Sequence, residues 1–173
     1  MNCLWKYETP KGFDDMWMSS DGQVLTGLWF AGSKDAAKHM TGGSQCMVPV
    51  FEETIRWLDL YFSGEIPDFV PAYRIENLTD FREEVQAIMR EIPYGETITY
   101  GDIAREIAAK RGVSRMSAQA VGGAVGANPI CIIVPCHRVM GAGGRLTGYG
   151  GGIENKKALL RLEAISFVPC RDK

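Results

Sequence analysis

Ile130-Cys131-Ile132-Ile133-Val134-Pro135-Cys136-His137-Arg138-Val139 is the stretch around which the rest of the chain is organised. An apolar, mostly β-branched run delivers the backbone into a buried position, and Pro135 stops it with a fixed φ and no N–H donor. The next two side chains are a thiol and an imidazole. A thiol is nucleophilic only as thiolate, and a neighbouring histidine that accepts its proton, directly or through a water, is the usual activator. Cys136 is therefore a candidate nucleophile. The competing reading is an inert buried cysteine, since free cysteines are among the most buried residues.

Working back from this stretch, Asn128-Pro129 stops a short helix expected over 118–127, which Ser117 can cap. A preceding helix is capped by Thr99 with Asp102, carries Ile103, Ala104, Ile107 and Ala108 inward, and ends at Gly112, placed as a C′ glycine. Two short helices joined by a few residues have helix-turn-helix form. The glycines of the second (Gly122, Gly123, Gly126) let it approach another surface closely, either DNA or the protein's own core. Upstream again, Asp80 with Glu83 reads as the start of a helix with Phe81, Val85, Ile88, Met89 and Ile92 on one face. Residues 66–77, with Pro67 and Pro71, read as a linker.

The N-terminal third is patterned differently. Residues 4–9, 16–19 and 24–30 read as short strands with a turn at Ser20-Asp21-Gly22, a small antiparallel sheet. Residues 31–48 are mostly loop with one short helix. From Pro49, Phe51, Ile55, Leu58 and Phe62 form an amphipathic stripe ended by Gly64. Downstream of the Cys-His pair, the glycines of 141–152 predict a flexible, backbone-rich loop without a phosphate-loop signature. A last helix over 153–166 places Ala158, Leu159 and Leu162 inward and Glu163 on the adjoining face. The fold expected is α+β, with a sheet-plus-helix domain and linker over residues 1–77 and a mostly helical, helix-turn-helix domain over 78–173.

Composition narrows the function classes. At 173 residues and 46% hydrophobic content the chain can bury a real core. No apolar run reaches the roughly 18 residues that span a bilayer, and no signal-peptide layout opens the sequence, so a cytoplasmic protein without membrane association is expected. Five cysteines (Cys3, Cys46, Cys131, Cys136, Cys170) are odd in number and lack framework spacing, which predicts free thiols and a reducing compartment. There is no C-x-x-C pair, so a structural metal is not expected, although Cys3, Cys46 and His39 could converge. The net charge of −2 hides an asymmetry: nine basic against four acidic residues between Tyr100 and Glu163 give +5 there and leave −7 elsewhere. A basic segment on an acidic chain points either to a polyanion partner or to a merely solvated face.

Pro135-Cys136-His137-Arg138-Val139, with Asn128-Pro129 eight residues before the cysteine and Gly148-Tyr149-Gly150-Gly151 leading to a helix that ends in Leu162-Glu163, resembles the O6-alkylguanine-DNA alkyltransferases. The resemblance is close over residues 78–164. It implies that Cys136 takes an alkyl group from O6 of guanine and keeps it as a thioether. It further implies that His137 accepts the thiol proton through a water, that Glu163 orients the imidazole, that Asn128 secures the turn bearing the cysteine, and that Tyr100 gives a proton to the leaving purine. Contacts to substrate or DNA fall on Arg115, Ser117, Gln119, Ala120, Gly122, Gly123, Arg138, Val139, Tyr149 and Gly150. Two positions depart from the family pattern. Gly150 stands where a serine is common, and Gln119 where an arginine usually enters the base stack. The partner implied is double-stranded DNA carrying O6-alkylguanine, met by a monomer without metal or organic cofactor. A Cys-His hydrolase and a non-catalytic DNA-binding module are the alternatives.

Overall fold

The fold is seen in a computed structural model that describes residues 2–40 and 42–169. Strands β1 (Cys3–Tyr7), β2 (Met16–Ser20) and β3 (Leu25–Phe30) pair antiparallel in sequence order, as the alternating pattern predicts. The loop after β3 holds the expected short helix, α1 (Lys34–His39), capped by Ser33. It also holds a strand not foreseen, β4 (Ser44–Gln45), which pairs parallel with β1, so the sheet is mixed with order β3-β2-β1-β4. Helix α2 (Pro49–Phe62) packs beneath it, with proline in its first turn where no N–H is missed. Its buried face is Val50, Phe51, Thr54, Trp57, Leu58, Tyr61 and Phe62, rotated from the expected stripe, and Ile55 lies at its margin.

The expectation of free thiols throughout is corrected at one pair. Cys3 and Cys46 form a disulfide. The sheet explains it: parallel pairing of Cys3 with Ser44 brings the two chain segments side by side. The argument from free thiols to a reducing compartment thus loses its premise, and the notion that these cysteines join His39 around a metal goes with it. His39 instead lies against the Trp29 ring. Cys131 and Cys136 are free and buried, while Cys170 lies outside the described residues.

Residues 66–77 were expected to be a linker, yet part of them is paired. Leu25 N–H donates to Ala72 O and Arg74 N–H donates to Leu25 O, both at 2.9 Å, covering one end of the β3 edge. The other end is covered by the site segment, Leu28 N–H donating to Pro129 O and Cys131 N–H to Leu28 O, each at 2.9 Å. An open strand edge is thus closed from within. One hydrophobic core continues from Met16, Leu28, Phe51 and Leu58 to Val85, Ile103, Val121, Val134 and Leu159.

Helix α3 (Asp80–Arg90) begins one residue earlier than expected, because Thr79, not Asp80, accepts the Arg82 N–H. After β5 (Ile98–Thr99), helix α4 (Tyr100–Arg111) opens on the expected Thr99–Asp102 capping box and ends at Gly112, whose φ of 67° suits glycine. Helix α5 (Ala118–Gly126) is capped by Ser117 and packs against α4. The glycine-rich segment is more ordered than expected: β6 (Val139–Met140) pairs with β5, Gly141 pairs with Arg145, and Leu146 joins a small core with Met140 and Leu160. Helix α6 (Ile153–Leu162) buries Asn155, Lys156, Leu159 and Leu160 rather than Ala158 and Leu162. Among the described residues no helix is long and apolar enough to cross a membrane.

Candidate active site

The apolar run before Pro135 is a tight turn and not a strand. Ile132 has φ of 69°, a costly conformation for a β-branched residue, which persists because its neighbours are held on both sides. Asn128 does much of the holding. Its amide donates to Ile130 O and Val134 O at 3.2 Å each, and its carbonyl accepts from Ile130 N–H at 3.2 Å and from Gln86 at 3.3 Å. Residues 136–138 then make one 3₁₀ turn that sets Cys136 and His137 in place.

Cys136 is 4% exposed and lines a cavity of about 50 Å³ with Tyr100, Gly122, Asn128, Tyr149 and Gly150. Its thiol is held down at about 7. The largest cause is the hydrogen bond from Cys131, opposed by burial and assisted by Asn128, Tyr149 and the charge of Lys156. Cys131 correspondingly keeps its proton, its own pKa pushed well up by the same contact and by burial. The Tyr149 hydroxyl lies 3.7 Å from the Cys136 sulfur. Lys156, fully buried, donates to Val139 O at 2.9 Å and sets its ammonium over the Tyr149 ring.

Behind the thiol sits a buried ionic network. His137 Nε2 is hydrogen-bonded to Glu163 Oε2, and the same oxygen accepts from the Tyr61 hydroxyl at 2.7 Å. Glu163 Oε1 accepts from Arg138 Nε at 2.8 Å and from Gly95 N–H at 3.0 Å. Burial alone would push this carboxyl up. The His137 hydrogen bond and charge, then Gly95 and Arg138, outweigh burial and hold it at about 2. Burial lowers the imidazole pKa most, with the Arg138 and Lys156 charges, against the Glu163 hydrogen bond and charge that raise it, so the ring is neutral near pH 7 and its charge acts on Glu163 only in acid. Nε2–H therefore points at a carboxylate, and Nδ1, buried and without a hydrogen-bond partner, is left as an acceptor.

The expected site residues divide into three groups. Cys136, Asn128, Tyr100, Tyr149, Gly150 and Gly122 come together at the cavity, whereas His137 and Glu163 are bonded to each other in the interior and do not line it. Tyr100 opens α4, its hydroxyl 3.0 Å from Thr147 Oγ1, its pKa raised by burial, and its ring facing Gly122. Arg115, Ser117, Gln119, Ala120 and Gly123 lie on an exposed surface along α5, where the Ser117 hydroxyl already accepts the Ala120 N–H. Arg138 and Val139, expected to touch substrate or DNA, lie inside the free protein: Arg138 is clamped between Glu163 and Ile92 O, and Val139 is fully buried in β6. Two of the nine cations counted toward a basic face, Arg138 and Lys156, are thus internal.

Comparison with known proteins decides the lineage. Residues 80–165 match the family described as 6-O-methylguanine DNA methyltransferase, DNA binding domain. A methylated-DNA–protein-cysteine methyltransferase of Haemophilus influenzae is 37% identical over 97% of this chain and 90% of its own. The chain belongs to the methylated-DNA–protein-cysteine methyltransferases. A methyltransferase of Methanosarcina acetivorans is 42% identical over 79% of this chain and 90% of its own. Among solved structures, the Mycobacterium tuberculosis protein in complex with DNA superposes with a TM-score of 0.78 at 38% identity, covering 93% of this chain and 92% of that one.

Tyr61, Lys156 and Cys131 were not read from the sequence as parts of a methyltransferase site. Tyr61 lies one turn beyond Trp57 on the buried face of α2 and would pass for core. Lys156 carried a usable signal, a cation three residues before the buried Leu159 and so on the inward face of its helix.

Proposed function

We propose that this protein repairs DNA by moving an alkyl group, methyl above all, from O6 of guanine irreversibly to Cys136, one transfer per molecule, with O4-alkylthymine a secondary substrate. The observation that carries this reading is the low-pKa Cys136 thiol at the cavity wall with the neutral His137–Glu163 pair behind it. A buried Nδ1 without a protein partner is a place for a bridging water, through which the thiol proton reaches the imidazole. Glu163 fixes the tautomer and stabilises the imidazolium as it forms. The thiolate attacks the alkyl carbon, the S–C bond forms, and the C–O6 bond breaks with its electron pair passing to the purine. Tyr100 gives its phenolic proton to the departing base and recovers one from the imidazolium through solvent.

Duplex DNA hides the alkyl carbon, so the base rotates out at a cost of a few kcal/mol, less for a lesion that pairs badly. The exposed surface of α5, with Ala120 and Gly123, rests on the DNA, and Gln119 enters the gap. Lacking the charge and flat guanidinium of arginine, it is a weaker wedge. Arg115, just before the helix, meets phosphate.

Mass spectrometry after mixing with a methylated oligonucleotide tests the proposal. The peptide containing Cys136 gains one methyl mass in a one-to-one titration, and Cys136→Ala abolishes the gain while affinity for methylated duplex largely survives. Repeated turnover on a chromogenic ester would show a hydrolase instead, and DNA binding without mass gain a non-catalytic module.

A further inference from the structure

Asp35 is the one acidic side chain at the Cys136 cavity, and it comes from the other end of the chain, the first turn of α1. It is 3% exposed. Its Oδ2 meets Cys131 Sγ at 3.9 Å, a weak contact, and its Oδ1 is buried without a hydrogen-bond partner. A Cβ built on Gly150 would collide with Oδ1. The Asp35 carboxyl thus fills the space that a side chain at position 150 would occupy, and the Asp35 N–H donates to Gly150 O at 3.3 Å. Burial favours its neutral acid form, against the charges of His39 and Lys38 and the Cys131 thiol.

We propose that Asp35 is a specificity-determining residue that reads the N1 and 2-amino edge of the alkylated guanine and selects it over O4-alkylthymine. The inference rests on the alkylguanine reading of the cavity. An alkyl carbon at the Cys136 sulfur brings O6 into the cavity, and N1 and the 2-amino group follow on the same ring edge. Alkylation at O6 strips N1 of its proton, so this edge offers an acceptor beside a donor. In its acid form, toward which burial and the arriving N1 lone pair both shift it, the carboxyl offers the complement, O–H beside C=O, and the two close in paired hydrogen bonds. O4-alkylthymine offers two acceptors, N3 and O2, and the second opposes the carboxyl C=O. Sites built to hydrogen-bond one partner reject analogues that leave their polar atoms unpaired.

The cavity of about 50 Å³ is well below the roughly 150 Å³ that admits a benzene ring. The cavity must therefore widen to take the base, and Asp35 stands in its wall where α1 meets the 148–150 segment. Single-turnover transfer by the full chain separates reading from plugging. The substrates are duplexes carrying O6-methylguanine, O6-methylhypoxanthine, which lacks the 2-amino group, or O4-methylthymine.

Asp35→Ala is expected to slow O6-methylguanine repair about tenfold or more, the loss of a pair of hydrogen bonds. It should also collapse the preference for O6-methylguanine over both other substrates. Asp35→Asn, whose amide keeps a donor beside an acceptor, should restore both preferences. Equal acceleration or equal slowing of all three substrates by Asp35→Ala would overturn the inference, leaving Asp35 a plug or a packing residue. Failure of the unaltered protein to methylate Cys136 on any substrate would overturn the alkylguanine reading as well.

Discussion

Tyr61→Phe isolates one hydrogen bond of the buried network. It removes the hydroxyl that lies 2.7 Å from Glu163 Oε2 and keeps the ring that stacks on Trp57 with centroids 5.4 Å apart. A buried hydrogen bond to a charged acceptor contributes about 1.5–3 kcal/mol. At roughly 2–4 °C per kcal/mol for a chain of this size, the melting temperature should fall by about 3–12 °C near pH 7. The pH dependence is the sharper test. Glu163 is held at about 2, below its ordinary 4.5, so the stabilisation from groups that prefer the carboxylate is complete above 4.5 and lost as pH falls toward 2. Burial and Glu163 raise the Tyr61 pKa, so the hydroxyl remains a donor throughout. Because the unfolded carboxyl is the same in both proteins, the gap in urea unfolding should persist through pH 4.5 and narrow only as pH approaches the folded value of about 2, toward the roughly 0.5–1.5 kcal/mol of a neutral pair. A gap that is negligible at pH 7, or that already closes between pH 7 and pH 4.5, would refute the assignment of Tyr61 as a donor to an ionised Glu163.

Cys131→Ala removes the donor that does most to lower the Cys136 pKa, so the midpoint of iodoacetamide alkylation should rise from about 7 toward the ordinary 9; an unmoved midpoint would show that Cys131 is only packing. Opening the Cys3–Cys46 disulfide, whose ends are separated by 43 residues, should lower stability by about 4 kcal/mol on the loop-entropy relation, measured by urea unfolding with and without reductant. Gln119→Ala should slow repair in duplex far more than in single strands, where nothing has to be held open, and Gln119→Arg should tighten duplex binding and steepen its salt dependence. Equal losses on both substrates would return Gln119 to an ordinary exposed helix residue.

What the sequence made legible was local. Thr99 with Asp102, Ser117, Gly112 and Pro49 mark helix ends because capping involves residues within one turn, and they stand where expected. Strands β1 to β3 were legible from alternation and a turn. The misreadings lie where distant segments meet. β4 is two residues long and exists through β1, the disulfide follows from that pairing, and Thr79 displaced Asp80 because both are good caps. At the site, residues adjacent to Cys136 or bound to it by a spaced motif could be named. Tyr61 stands 102 residues from its partner Glu163 and Asp35 stands 96 from Cys131, and no periodicity records such a meeting.

Those two contacts change what the N-terminal segment is for. Glu163, Arg138, His137 and Lys156 are buried, and ions taken out of water cost more than their mutual attraction returns unless every polar atom is satisfied. Residues 78–173 supply most of the partners: Gly95 for the carboxylate, Ile92 O for Arg138, Val139 O for Lys156. The remaining hydroxyl comes from α2, and the β3 edge fixes the turn that carries Cys136 by pairing Leu28 with Pro129 and Cys131. Removing the N-terminal segment would leave Pro129 O and Cys131 N–H without their Leu28 partners and admit water to Glu163. Its carboxylate would then need His137 less, and Nδ1 would have a competing source of protons. The sheet and α2 therefore reach the site through desolvation, although neither contains Cys136, His137 or Glu163.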